Sequence, residues 1–252
     1  MSAPLALETR NLVMRFGGFT ATNDVSLKID SGARHALIGP NGAGKTTLIH
    51  LLSGVLEPSA GQVLLEGRDV TRLAQHRRVQ RGLARTFQIN SLFPDLSVLE
   101  SVVMVVCQRR GLGGRWWGAV GAQAEAVDEA AELLQTLGLL DAARQPARML
   151  AYGRQRLLEI ALALALRPRV LLLDEPAAGV PAGESRALFE IIAQLPRDVS
   201  IVLIEHDMDL VFRFAERISV LVGGAILTEG TPQQIAHDPR VREVYLGSTL
   251  DA

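Results

Sequence analysis

The stretch that most narrows the possible folds is Gly39-Pro40-Asn41-Gly42-Ala43-Gly44-Lys45-Thr46-Thr47, which fits G-x-x-x-x-G-K-[ST]. A short apolar run, Ala36-Leu37-Ile38, precedes it and reads as a strand. Leu48-Ile49-His50-Leu51-Leu52 follows and reads as the opening of a helix. A strand, a glycine-rich loop and a helix in that order aim backbone N–H groups and a helix N-terminus at phosphate oxygens. Glycine is required where a side chain would block the backbone's approach or forbid its angles. Lys45 supplies a cation for the terminal phosphates, and Thr46 a hydroxyl for Mg2+. The loop commits this part of the chain to strand–loop–helix architecture and to a nucleotide phosphate, without naming the machine that uses it.

Composition sets the outer bounds. With 252 residues, 48% of them apolar, the chain can bury a real core, and an α/β domain with a smaller lobe is the expectation. Its 26 basic and 27 acidic residues leave a net charge of −1, so no global field favours nucleic acid or an anionic membrane. Only two of the basic residues, Lys28 and Lys45, are lysine. Cys107 is the single cysteine, which excludes an internal disulfide and fits a reducing compartment. Residues 1–10 lack the charged start and apolar stretch of a secretory signal. The apolar runs at 102–107 and 157–166 fall short of the roughly 18–20 residues that cross a bilayer. Any membrane role would therefore need a partner.

Along the chain, residues 5–13 and 25–29 read as strands, with a turn at Ser31-Gly32, and 62–66 as another after the turn Pro58-Ser59-Ala60-Gly61. The pattern then becomes helical. Over 123–137, Ala126, Val127, Ala130, Leu133, Leu134 and Leu137 share a face and Gly138 ends the helix. Residues 157–166 form a further helix, ending before Pro168. The continuous apolar runs 170–173 and 201–204 suit strands buried on both faces, with an amphipathic helix over 185–195 between them. This β–α–β alternation argues for a parallel sheet. Residues 218–222, Gly223-Gly224 and 225–227 form a hairpin, and Thr231-Pro232-Gln233-Gln234 a capping box with proline at the first helical position. The stretch of about 90–155 looks inserted between two halves of a nucleotide-binding core.

A second constellation completes the first. Leu171-Leu172-Leu173-Asp174-Glu175-Pro176 is a buried strand ending in two carboxylates. Asp174 is placed to hold Mg2+, directly or through water, and Glu175 to take a proton from attacking water. Ile201-Val202-Leu203-Ile204-Glu205-His206-Asp207 repeats the geometry, with polar groups at the carboxyl end of a strand, where ligands bind in such sheets. His206 is the candidate contact to the terminal phosphate. His35, His50, His76 and His237 have no such context and read as structural.

These residues together resemble the ATPase subunits of ABC transporters, over nearly the whole chain. Residues 39–47 correspond to Walker A, 171–175 to Walker B, and His206 to the switch histidine. Arg85-Thr86-Phe87-Gln88 resembles the Q-loop, which implies that Gln88 approaches Mg2+ and the attacking water. Phe16 falls where the family stacks an aromatic ring on adenine, and Leu150-Ala151-Tyr152-Gly153-Arg154-Gln155-Arg156 where it carries its signature. A narrower resemblance, to the ATPase subunits of branched-chain amino-acid importers, rests on Arg15-Phe16-Gly17-Gly18, Arg85-Thr86-Phe87-Gln88, Leu150-Ala151-Tyr152-Gly153, Glu175-Pro176-Ala177-Ala178-Gly179, Ile204-Glu205-His206-Asp207-Met208 and the tail from Glu229-Gly230-Thr231-Pro232 to Tyr245-Leu246-Gly247.

The resemblance implies an α/β fold: a P-loop NTPase core with a mixed sheet, its parallel part joined by an N-terminal antiparallel β-subdomain, and an inserted helical subdomain. It implies one ATPase domain over 1–252, with 1–89 and 156–252 as core and about 90–155 as the helical subdomain. It implies ATP and Mg2+ as cofactors. ATP is then bound by Phe16, Gly39, Asn41, Gly42, Ala43, Gly44, Lys45, Thr46 and Thr47, and by Ala151, Tyr152 and Gly153 of a second subunit. Thr46, Gln88 and Asp174 serve the metal, and Glu175, His206, Gln88 and Lys45 serve catalysis. The partners implied are a second ATPase subunit, identical or related, and transmembrane permease subunits, with no nucleic acid. The implied place is the cytoplasmic face of the inner membrane.

Two departures from the general family pattern stand out. The signature serine is Ala151, its first glycine Tyr152 and its glutamine Arg154, so a hydroxyl donor is lost and Gly153, helix N-terminal amides and Arg154 are left to compensate. The position that usually ends the D-loop in aspartate is Pro181. The alternatives are an exporter ATPase for lipid or polysaccharide and a mechanical ABC ATPase acting on DNA or ribosomes. Only 61 residues separate Gln88 from Leu150, too few for a coiled-coil arm. Trp116 and Trp117 read as local packing in a glycine-rich patch, with contact to a membrane subunit or lipid headgroups as the alternative. Arg72, Arg77, Arg78, Arg81 and Arg85 read as a solvated helix face, with a partner-binding role as the alternative.

Overall fold

The computed structural model describes residues 4–86, 93–112 and 124–247. In chain order the first elements are β1 (Leu5–Phe16), β2 (Phe19–Val25), β3 (Lys28–Asp30), β4 (Arg34–Ile38), α1 (Lys45–Ser53), β5 (Ala60–Leu65), β6 (Arg68–Asp69), α2 (Gln75–Gln80) and β7 (Leu83–Arg85). Then come α3 (Val98–Arg109), α4 (Ala124–Thr136), α5 (Tyr152–Ala165), β8 (Val170–Asp174), α6 (Ala182–Ala193), β9 (Ser200–Ile204) and α7 (Met208–Phe214). The chain closes with β10 (Arg217–Val222), β11 (Ala225–Gly230), α8 (Pro232–His237) and α9 (Pro239–Gly247).

The first of two compact units holds residues 1–83, 169–175 and 196–252. Its larger sheet runs β11-β10-β4-β9-β8-β7. The β10–β4, β4–β9 and β8–β9 pairs are parallel, and the β10–β11 hairpin is antiparallel. Strands β4, β8 and β9 are buried almost throughout, as their unbroken apolar runs require of a sheet covered on both faces. The second sheet is antiparallel, built on the long strand β1, which pairs β2, β3 and β5. Leu7, Leu12, Val25, Ile29, Leu48, Leu52, Val63, Leu172 and Val202 belong to the shared core of this unit.

The run 25–29 is not one strand. Val25 ends β2 and Lys28 begins β3. Both pair with β1, which shifts register along its length and has Asn11 at φ 46. The chain turns between them, and the buried Thr9 hydroxyl bridges the corner by donating to Val25 O and accepting from Leu27 N–H, each at 2.9 Å. A side-chain hydroxyl there replaces the ladder bonds that the corner loses.

The second unit holds residues 84–168 and 176–195, so the chain passes from one unit to the other within β7. Helices α3, α4 and α5 pack together, with Ala126, Ala130 and Leu134 as the buried face of α4. Ser97 and Glu100 form a capping box at the start of α3. Gly138 follows α4 at φ 66, in the left-handed conformation that ends a helix cheaply only for glycine. Glu129 accepts from Arg109, Arg110 and Arg167, tying α3 to α4 and to the end of α5. Helix α5 begins at Tyr152, a full turn earlier than the apolar run at 157–166 indicates, because its first turn is polar. Among the described residues no helix is long and apolar enough to cross a membrane.

Arg78 departs from the solvated-face expectation. It is 1% exposed, whereas Arg72, Arg77 and Arg81 are exposed. Its guanidinium donates to Leu51 O (2.6 Å), Leu52 O (2.7 Å), Thr71 O (2.7 Å) and Leu73 O (3.0 Å). The first two are among the carbonyls left open at the C-terminus of α1. Burial pulls the Arg78 pKa down to about 10, and a cation at that helix end is what the helix dipole favours.

Candidate functional site

In the first unit, three neighbouring strands of the parallel sheet deliver the candidate residues to one edge. Leu37 of β4 lies opposite Ile204 of β9, and Ile204 lies opposite Asp174 of β8. The loop 39–44 leaves β4, Glu205 and His206 leave β9, and Asp174-Glu175 end β8. All lie at the carboxyl ends of parallel strands, the edge at which ligands bind in such sheets.

The phosphate loop is shaped by close backbone approaches. A Cβ on Gly39 would lie 2.1 Å from Leu221 O, and one on Gly44 would lie 2.4 Å from Ala21 O. Either would force the backbone apart. Gly44, at φ 99, is the N-cap of α1 and offers no side-chain hydrogen bond. The N-terminal amides of α1, through Lys45, Thr46 and Thr47, are therefore not capped from within and present a positive dipole end. Asn41, Gly42 and Thr46 are exposed, and Ala43 is buried. Gly224, in the β10–β11 turn, donates to Ala43 O at 2.9 Å and accepts from Asn23 N–H at 2.7 Å, so the hairpin props the loop from behind. The Gly223-Gly224 pair reads from sequence only as a turn, and nothing in it announces that support.

Lys45 Nζ donates to Gly39 O (2.6 Å) and Pro40 O (3.0 Å) across its own loop. Burial lowers its pKa, while the charges of Glu175 and Asp174 pull the other way. Two carboxylates and an ammonium thus share one field. Glu175 has φ 47, uncommon for a residue with a side chain, and its N–H donates to Ile204 O at 2.9 Å. The main chain turns sharply as β8 ends, and this turn fixes where the carboxylate leaves the sheet. His206 is exposed and directly precedes Asp207, which caps α7 by accepting from Asp209 and Leu210 N–H. Sequence marks Glu205 only as one of the polar groups at the carboxyl end of β9. It is 1% exposed, its Oε2 accepts from His206 N–H at 3.0 Å and lies 3.6 Å from His206 Nδ1.

The other histidines follow their structural reading where the geometry speaks. His35 is buried, with Nε2 2.7 Å from Ser219 Oγ, and His237 Nδ1 lies 2.7 Å from Gln233 O. Phe16 and Phe19 face each other at the tip of the β1–β2 hairpin, both exposed. Gln88, Trp116 and Trp117 lie outside the described residues.

The signature-like segment belongs to the second unit. Ala151 is the N-cap of α5 with no side-chain cap, as its missing hydroxyl dictates. Tyr152 is partly exposed, and Gly153 is buried where an added Cβ would meet Glu184 Oε2 at 2.7 Å. Arg154 is not free to replace the lost donor: its guanidinium is held by Asp141 and by Gly138 O.

Among the described residues no cluster of three or more His, Cys, Asp or Glu side chains could hold a metal by itself. A hydroxyl at 46 and a carboxylate at 174 are hard oxygen donors. They suit Mg2+, which keeps waters and binds through one or two protein oxygens plus substrate phosphates.

A phosphate loop, a strand-end acid pair and a strand-end histidine along one edge of a parallel sheet define a nucleotide-hydrolysing P-loop protein. The sequence matches the family described as ABC transporter over residues 22–178, and a second, described as Branched-chain amino acid ATP-binding cassette transporter, over residues 225–250. The chain belongs to the ABC transporter family and is an ATP-binding, ATP-hydrolysing subunit of that class. It is 41% identical to the high-affinity branched-chain amino acid transport ATP-binding protein BraF of Pseudomonas aeruginosa, over 98% of this chain and 99% of the relative. It is 43% identical to the corresponding protein LivG of Escherichia coli K12, over the same shares. Among solved structures it resembles the ADP conformation of MJ1267, an ATP-binding cassette of an ABC transporter, with a TM-score of 0.84 at 30% identity over 96% of this chain and 99% of that one. A nucleotide-free cassette from an ABC transporter matches with a TM-score of 0.82 at 30% identity, over 96% and 98%.

Proposed function

We propose that this chain powers uptake of branched-chain amino acids, or of a related small polar substrate, through separate membrane subunits, as a peripheral protein on the cytoplasmic face of the inner membrane. The observation that carries the reading is the shared edge: uncapped α1 amides, Lys45, Asp174-Glu175 and His206 at the ends of adjacent strands. The names of the 41–43% identical relatives support the cargo class.

In this reading the phosphates of ATP lie along residues 39–47 and Phe16 stacks on adenine. Lys45 leaves the Gly39 and Pro40 carbonyls for the terminal phosphates. Thr46, Asp174 and Gln88 would hold Mg2+, which would neutralise phosphate charge. Glu175 accepts a proton from the attacking water, and His206 and Lys45 stabilise charge on the transferred phosphoryl group. Two such subunits face each other head to tail, so that Ala151, Tyr152 and Gly153 of one complete the site on the other. Closure excludes water. The helical subdomain, about residues 90–155, carries the state of the site to a permease, and no nucleic acid takes part.

Steady-state ATP turnover and equilibrium ATP binding of two variants test the assignment. Glu175→Gln retains ATP affinity and loses about 10²–10⁴ in turnover. Lys45→Ala loses ATP affinity first. Near-normal turnover in Glu175→Gln removes that residue from the base role, and unchanged binding in Lys45→Ala removes the phosphate cradle.

A further inference from the structure

Arg156 and Glu159 form a charged pair inside the second unit that none of the roles above uses. Arg156 is 9% and Glu159 6% exposed. Arg156 Nη1 donates to Glu159 Oε2 at 3.0 Å. Its Nη2 donates to Tyr152 Oη at 3.2 Å and to Ala178 O at 3.4 Å. The guanidinium carbon lies 5.3 Å from the centroid of the Tyr152 ring. A buried ion pair recovers its desolvation only with good geometry and satisfied hydrogen bonds. This pair falls short, because Arg156 Nε and Glu159 Oε1 have no partner among the described residues. Burial also pushes the Glu159 carboxyl above its usual range, against the pull of Arg156. An apolar pair of similar volume would serve packing at least as well. What the pair adds is a fixed donor fork reaching two separate segments.

Those segments are the first turn of α5 and the loop that follows Glu175. Gly179, at φ 76, lies under the tyrosine: an added Cβ would be 3.0 Å from Tyr152 Oη and 3.2 Å from the ring. The tyrosine at the signature and the glycine in the loop are thus complementary in shape, and Arg156 bonds to both sides of the contact. Val180 N–H donates to Ala177 O at 3.0 Å, which closes the loop as a turn.

We propose that Arg156 is a positioning residue for ATP hydrolysis: acting through Tyr152 and the Ala178 carbonyl, it locks residues 176–180 onto the first turn of α5 and so fixes the segment that leads directly out of Glu175. The proposal rests on Glu175 as the base, which the Glu175→Gln experiment tests separately.

The test is a steady-state titration of the purified full-length chain with Mg·ATP, for the parent, Arg156→Lys and Tyr152→Phe. Amide hydrogen exchange is followed over residues 176–180. Arg156→Lys keeps the charge and loses the planar fork. Tyr152→Phe keeps the ring and loses one acceptor, so it remains decisive where the lysine variant does not fold. Both variants are expected to show kcat lowered about tenfold, KM within about twofold of the parent, and faster exchange over 176–180. The double variant is expected to lose little more than either single one, since both cut the same link. Turnover within about twofold of the parent in the folded variants overturns the proposal, as does a fall in kcat matched by an equal rise in KM.

Discussion

At position 35 an imidazole lies inside the parallel sheet, 1% exposed, against the Ser219 hydroxyl. Burial, with Arg217 nearby, lowers its pKa to about 4. In the unfolded chain the same group takes a proton near pH 6.5. Between those values only the unfolded state is protonated, so stability is full above about pH 6.5 and falls as pH drops toward 4. The slope is about 1.4 kcal/mol per pH unit and the loss is about 3 kcal/mol. Urea midpoints of the parent at pH 7, 5.5 and 4.5 should decline accordingly, with a shallower decline in His35→Gln; equal slopes in the two proteins refute this account. The identity of His35 as a structural residue was legible because nothing chemical accompanies it in sequence. The fate of Arg78 was not. Five arginines from 72 to 85 look alike on a helical wheel, and only the fold brings the α1 carbonyls to one of them. The phosphate loop, Asp174-Glu175 and His206 were legible because their chemistry sits beside unbroken apolar strands. Glu205 and Gly224 were hidden because their partners are set by strand pairing and by a hairpin turn.

Helix α5 illustrates the scale of an element. Its core-facing run, 157–165, is plain in sequence, but its start is set by Ala151, which offers no capping oxygen. An uncapped N-terminus costs stability and leaves amides open to a ligand. Ala151→Ser is therefore expected to stabilise the protein by about 0.5–1 kcal/mol, read as a higher thermal midpoint without nucleotide. A midpoint at or below the parent's would show that the open amides are already satisfied. Helix α1 makes the opposite use of its ends. Its N-terminus is left bare at Gly44, while its C-terminus is capped by Gly54, whose N–H donates to His50 O, and by the buried Arg78. The strand expected over 25–29 failed at this scale for a related reason, since alternation of Val25, Leu27 and Ile29 does not register that β1 changes partner halfway along.

For the whole molecule, a ligand that binds only the folded chain stabilises it by mass action. At about 100 times its dissociation constant, ATP adds roughly 2.7 kcal/mol, and a chain of this length rises about 2–4 °C per kcal/mol. The thermal midpoint of the parent should rise about 5–10 °C with saturating Mg·ATP, and that of Lys45→Ala should not move; a parent midpoint indifferent to ATP would contradict the site. The route of the chain has its own consequence. It changes unit four times, after residues 83, 168, 175 and 195. No single contiguous graft can transplant the helical unit into a relative. A chimera that exchanges the whole second unit takes 84–168 and 176–195 together and keeps 169–175 from the host. That retained bridge carries Asp174 and Glu175, so every such hybrid keeps its host's acid pair while it takes position 88 and the segment 151–153 from the donor.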